Sequence, residues 1–226
     1  MAAKRLLAVL CLLAAHAAYA ASFDCSKHLT KIERMICDEP KISFMDEALS
    51  LIYRKLTAEQ SQIKREQARW LRERDQCADA SCVASAYRNQ LLSLADQIPS
   101  AERRPESSSL LGFAGKWEYD FRSTPSLECG FATFSLRHHS HWISGTHGMA
   151  TLGCGRLNED GAVVGVSDGA DAVLIVTSGR NGAVVVGKAQ RRKNSLLWKT
   201  QALLSRGEPD GDDLILDSGK FVRSEP

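Results

Sequence analysis

Apolar residues recur at three-and-four spacing from Thr30 to Ile98, the period of helices, and give way after residue 109 to short alternating runs, the period of strands. Thr30 followed by Glu33 is a capping box that opens a short helix ending near Cys37. Pro40 then breaks the chain, and Ser43 with Asp46 offers a second cap. From there Met45, Leu49, Ile52, Leu56, Ile63 and Trp70 form one stripe with no proline or glycine before Cys77, which predicts a long helix. Glu59, Glu66 and Glu73 share that seam, so its far end narrows and is wet on one side. Val83, Tyr87, Leu91 and Leu94 mark a third helix over 81–98 that returns against the second.

Residues 99–109 hold prolines, serines and charges with almost nothing apolar, and read as a linker. Beyond it strands are expected at 115–121, 130–137, 140–145, 148–156, 162–167, 172–178, 182–189, 195–204 and 213–223. Asn158–Gly161, Asp168-Gly169, Arg180–Gly182 and Pro209–Gly211 supply turn signals. Short connections force antiparallel neighbours, so a meander in about 110 residues closes into a small barrel or curls into a sandwich. The expected class is α+β: a disulfide-clamped helical hairpin over 21–98, the linker, and a β-rich domain over 110–226.

The first 20 residues read as a leader rather than as fold. Lys4 and Arg5 precede an apolar run from Leu6 to Ala15, and Ala18-Tyr19-Ala20 is a small-x-small cleavage signal, so a cut after Ala20 is expected. That run is too short to span a bilayer, and no later stretch reaches the roughly 18 apolar residues a membrane helix needs. Neither Cys11, after Leu10, nor Cys25, after Asp24, sits where a lipid anchor would require it. The expected location is free in a periplasm or outside the cell.

Seven cysteines become six once Cys11 leaves, and an even set in an exported chain points to disulfides. A straight long helix would separate Cys37 from Cys77 by about 45 Å, whereas a bridge needs Cα atoms within about 7 Å. Local pairs Cys25–Cys37 and Cys77–Cys82 follow, leaving Cys129 with Cys154 to tie strands near the start of the β half. Losing Lys4 and Arg5 leaves 27 basic against 27 acidic residues, and a formally neutral chain gives no reason to expect nucleic acid as a partner.

The N-terminal half also carries a motif frame. Phe23-Asp24-Cys25, Glu33 with Ile36-Cys37, Asp38-x-Pro40, Ser43-x-x-Asp46, Glu66-Gln67-x-x-Trp70-Leu71-x-x-Arg74-Asp75-x-Cys77, Cys82 and Tyr87-Arg88 resemble the secreted bacterial domain named after the mycobacterial lysozyme inhibitor LprI. The resemblance covers about residues 23–97 and implies inhibition of animal lysozyme. In the second half, Gly115-Lys116-Trp117 at the head of the meander is similar to the Gly-x-Trp opening of lipocalin-like barrels, and its tryptophan would plug one barrel end.

No Gly-x-Ser-x-Gly elbow, no His-Glu-x-x-His and no Ser-x-x-Lys is expected to open a helix, since Gly165–Gly169 falls among the expected strands and Ser61–Lys64 inside the expected long helix, so no enzyme and no cofactor are expected. His138, His139, His141 and His147 fall within ten residues. His139 and His141 would share a strand face and begin a zinc or copper site that His147 could complete after a bend at Ser144-Gly145. Trp70 and Arg74, one turn apart, serve either as interface anchors or as core with Arg74 covering the ring. The expected partner is a protein, with lysozyme the specific proposal and an envelope adaptor the alternative. A lysozyme cleft holds two carboxylates, so an inhibitor would present serine, lysine or arginine from a rigid loop. Ser144-Gly145-Thr146-His147 and Arg191-Arg192-Lys193-Asn194 are the candidate loops, the latter also explicable as a solvated hairpin tip.

Overall fold

The computed structural model describes residues 21–59, 62–99, 112–124, 126–209 and 212–224. The leader, most of the linker and Asp210-Gly211 lie outside the described residues. Among the described residues four helices precede eight strands: α1 (Lys31–Asp38), α2 (Pro40–Glu59), α3 (Ile63–Arg74), α4 (Ala80–Ala95), β1 (Gly115–Asp120), β2 (Phe131–His139), β3 (Trp142–Ala150), β4 (Leu157–Asp168), β5 (Asp171–Thr177), β6 (Val184–Arg192), β7 (Ser195–Ser205) and β8 (Ser218–Arg223). Among the described residues no helix is long and apolar enough to cross a membrane.

The capping box forms, with the Thr30 hydroxyl accepting from the Glu33 N–H at 3.2 Å and Glu33 accepting from the Thr30 N–H at 2.7 Å. Helix α2 starts at Pro40, three residues ahead of the expected cap, because a proline at the first helical position forfeits only an N–H that has no partner there. Ser43 and Asp46 therefore lie inside the helix, and both are buried.

The single long helix is corrected to two. Asp46 on α2 and Arg74 at the end of α3 both bond the Tyr87 hydroxyl, at 2.6 and 3.0 Å. On one straight rod they would stand about 42 Å apart. A 16-residue α4 covers only about 24 Å, so a rod would have left Ile63 and Trp70 in water, whereas reversal leaves them 2% and 7% exposed. The local disulfides form nonetheless, with Cα separations of 5.9 Å for Cys25–Cys37 and 5.5 Å for Cys77–Cys82. Distance along a rod is not what selects them, since Lys31 of α1 reaches the Ala78 carbonyl at 2.7 Å. Short loops of chain simply close at the least entropic cost.

The eight strands pair in sequence order, all antiparallel, and β1 closes on β8 through Trp117↔Arg223 and Glu118↔Val222. The β half is thus a closed barrel and not a sandwich. Expected strands 140–145 and 148–156 merge into β3, with no bend at Ser144-Gly145. The Asn158–Gly161 signal is a bulge inside β4 rather than a turn: the register shifts opposite His147 and Met149, and Asp160 takes the left-handed φ of 54°. The last strand is confined to Ser218–Arg223. Cys129, just before β2, bonds Cys154 in the short 3-10 turn after β3, with Cα atoms 5.1 Å apart.

Side chains fill the barrel, led by Trp117, Phe134, Trp198 and Phe221. Phe134 sits 5.5 Å from the Trp198 ring and 5.0 Å from Phe221. Gly187 makes room for Trp198, since a Cβ there would run into the indole. Trp117 plugs one end as the Gly-x-Trp comparison implies: it is fully buried, donates to the Phe113 carbonyl at 2.8 Å, and carries the Arg223 guanidinium 4.3 Å above its ring. Arg223 also latches the entering chain, bonding the Ala114 and Gly112 carbonyls at 2.6 and 3.1 Å.

The helices do not float free of this barrel. Trp142, Val166, Val173, Ile175, Val186, Ala202 and Leu204 face outward and join the core of Ile36, Met45, Ile52, Leu56, Tyr87 and Leu91. On β7 the even-numbered Leu196 and Trp198 point into the barrel, yet the even-numbered Ala202 and Leu204 point at the helices. Register shifts between Val184/Val185 and Val186/Gly187 leave extra residues in β7 and account for the change of face.

Candidate functional site

A strand alternates its side chains, and this decides the fate of the first candidate loop. Ser144, Thr146 and His147 lie mid-strand in β3, paired with β2 and β4, so they are not a loop that could enter a partner's cleft. Ser144 is 7% exposed, and His147 is inside the barrel at 1%. The His147 ring rests 5.2 Å from Phe134, and its Nδ1 lies 3.4 Å from the Asn158 amide nitrogen. Burial pushes its pKa down to about 4, so the imidazole is neutral at pH 7.

The proposed metal set of His139, His141 and His147 is corrected for the same reason. His139 ends β2 and His141 sits in the β2–β3 turn, while β3 carries His147 about 17 Å along the barrel from Trp142. Among the described residues no group of three or more His, Cys, Asp or Glu is placed to hold a metal ion. His138 instead supports the barrel end: it accepts from the Phe113 N–H at 3.3 Å and pairs with the Ser167 hydroxyl at 2.9 Å. Burial, then the nearby Arg191 charge, lowers its pKa.

The second candidate loop is a true hairpin tip. Arg191 and Arg192 end β6, and Lys193-Asn194 form the two-residue turn, with Lys193 at a φ of 51°. Arg192, Lys193 and Asn194 are exposed, while Arg191 is half-buried. Both flanking strands are locked in the barrel, so the tip is held from each side. Arg192 also bonds Gln190 at 2.9 Å. The turn at the opposite end uses its carboxylates locally: Asp212 pairs with Arg156, and Asp213 accepts from Asn181 at 3.0 Å.

Trp70 and Arg74 belong to the helical core. Trp70 packs edge-on against Tyr87 at 5.2 Å, and Arg74 covers it at 5.4 Å while bonding Asp75 at 2.7 Å. Asp46 accepts from Tyr87 and from the Ser22 N–H at 2.7 Å, so the buried carboxylate is held by both an early and a late segment of the unit. Burial, reinforced by Asp46, pushes the Tyr87 phenol far above its ordinary pKa, so it stays protonated and donates.

The surface that strand and helix assignment alone did not reveal is a cleft of about 720 Å³ where the helices meet β7. Glu39 contributes from the α1–α2 junction, Lys41, Ile42 and Met45 from the start of α2, Ala80, Ser81, Ala84 and Arg88 from α4, residues 202–205 from the end of β7, and Arg206 from just beyond it. Its existence depends on the docking of the two halves, for which the unbroken apolar run Ala172–Val176 was the available signal: a strand buried on both faces needs a second layer.

Fold and surfaces together define a disulfide-tied scaffold with a cationic hairpin and a cleft at its internal joint. Among curated proteins the chain is similar to lipoprotein LprI of Mycobacterium tuberculosis and of Mycobacterium bovis, each 29% identical over 90 residues that make up 37% of this chain and 46% of theirs. The chain thus spans about half the length of the curated relatives it matches. That likeness supports an LprI-like relationship. No family model matches the chain, and no solved structure matches it.

Proposed function

We propose that this protein is an exported, non-enzymatic module that binds another protein, with animal-type lysozyme the leading target. The single observation that carries the binding mode is the exposed Arg192-Lys193-Asn194 tip, fixed between two strands of a closed barrel. The resemblance over 23–97 and the likeness to LprI supply the target. A lysozyme cleft contains one carboxyl kept as an acid and one ionised carboxylate. Arg192 and Lys193 would bond both, exclude water and lose little entropy on docking, because the turn is already ordered. Three disulfides fit an oxidising compartment outside the cytoplasm.

Lytic assays with several animal lysozymes test this reading. The whole chain should inhibit at micromolar concentration or below, and Arg192→Ala/Lys193→Ala should weaken inhibition at least tenfold without loss of fold. Absence of inhibition by the whole chain at micromolar excess rejects lysozyme as target. The alternative, an envelope adaptor, is favoured by the cleft at the joint, a location where ligand sites commonly form.

A further inference from the structure

We infer that the cleft between α2, α4 and β7 is a docking site for an acidic peptide segment that carries an apolar side chain. The inference rests on the protein-binding reading but not on lysozyme being the partner. Three cations, Lys41, Arg88 and Arg206, line the cleft against one acid, Glu39, although the whole chain carries a formal net charge of only +2. Among the described residues none of the three cations takes part in an ion pair. Arg88 makes one neutral hydrogen bond, to the Ser85 hydroxyl at 2.6 Å, which leaves the rest of its guanidinium fork for a carboxylate.

The wall formed by α4 contributes its cation, Arg88, and two small residues. Ala80 and Ser81 are its first-turn residues, but the Asp79 carboxylate already caps that turn by accepting from the Cys82 N–H at 2.9 Å, so the attraction for an anion rests on the three side-chain cations. The floor is apolar: Ile42, Met45 and Leu204 are flush with the core. A shallow apolar floor ringed by cations suits an extended peptide that seats one apolar side chain and pairs flanking carboxylates. An acyl chain would require a deep apolar channel, and the floor residues already pack into the core.

Selection from a random octapeptide library against the whole chain, followed by methyl and amide NMR of the chain with an enriched peptide, tests the inference. The expected result is enrichment of sequences joining Asp or Glu to Leu, Ile or Phe, with shifts confined to Met45, Ala84, Ala202 and Leu204. Arg88→Gln/Arg206→Gln should weaken that peptide at least tenfold. Raising salt from 50 to 300 mM should weaken the peptide's binding to the unsubstituted chain, and the double variant should leave lysozyme inhibition at the Arg192-Lys193 tip unchanged. Enrichment of neutral or basic sequences, shifts elsewhere, binding indifferent to the double variant, or no enrichment at all would overturn the proposal. Shifts of the same methyls by decanoate with none by acidic peptides would overturn it too and assign the cleft to a lipid-like anion.

Discussion

The barrel and the helical unit solve burial differently. Every barrel strand has a hydrogen-bonded neighbour on both sides and an inward row of side chains, so the barrel owns its core. The helical unit does not: its core continues into the outer face of β4, β5, β6 and β7. The barrel should therefore tolerate separation, and the helices should not. The largest expected effect is to break that joint. Val173→Asp/Ile175→Asp would bury two unpaired carboxylates beneath the helices and cost about 4 kcal/mol or more. Circular dichroism should then show lost helical signal at temperatures where the strand signal persists.

Next come changes inside each half. Trp198→Ala removes the ring around which Gly187 and Phe134 pack, and should cost about 3 to 5 kcal/mol in denaturant melts. Acid attacks the barrel through His147. Its folded pKa of about 4 lies below the ordinary 6.5, so the unfolded chain takes the proton first. Stability from this group is complete above pH 6.5 and falls as the pH drops towards 4, by about 3 kcal/mol in all. His147→Gln should flatten the slope across that window, whatever it does to stability at pH 7.

In the helical unit Tyr87→Phe would leave the Asp46 carboxylate one donor short and Arg74 with Asp75 alone as acceptor, for a cost of about 1.5 to 3 kcal/mol. The smallest effect is expected at the joint's rim. Lys55 and Asp168 pair at 3.6 Å across it, but Asp168 is largely exposed, so Lys55→Met should change stability by less than about 1 kcal/mol. A larger loss would mean that electrostatics, not apolar burial, holds the halves together.

Local chemistry was legible in the sequence where a signal acts alone. The Thr30–Glu33 box, the turns at Gly169 and Gly182, the hairpin at Lys193 and the disulfide partners each depend on neighbours within a few residues or on short loops. What escaped depended on tertiary partners. An uninterrupted helical stripe from Met45 to Trp70 does not reveal that the chain reverses, because only α4 supplies the reason. Asp160-Gly161 has the residues of a turn and makes a bulge, since β3 continues past it. The histidine cluster looked compact in sequence but is spread along an antiparallel pair, with one member inside the barrel. The cleft could not be read at all without the bulges that turn the end of β7 towards the helices.

The shared core is most directly tested by calorimetry of the oxidised whole chain at pH 7. One transition, with calorimetric and van't Hoff enthalpies equal and helix and strand signals melting together, is predicted. Two resolved transitions, with the helices melting independently of an intact barrel in the unmodified protein, would contradict it.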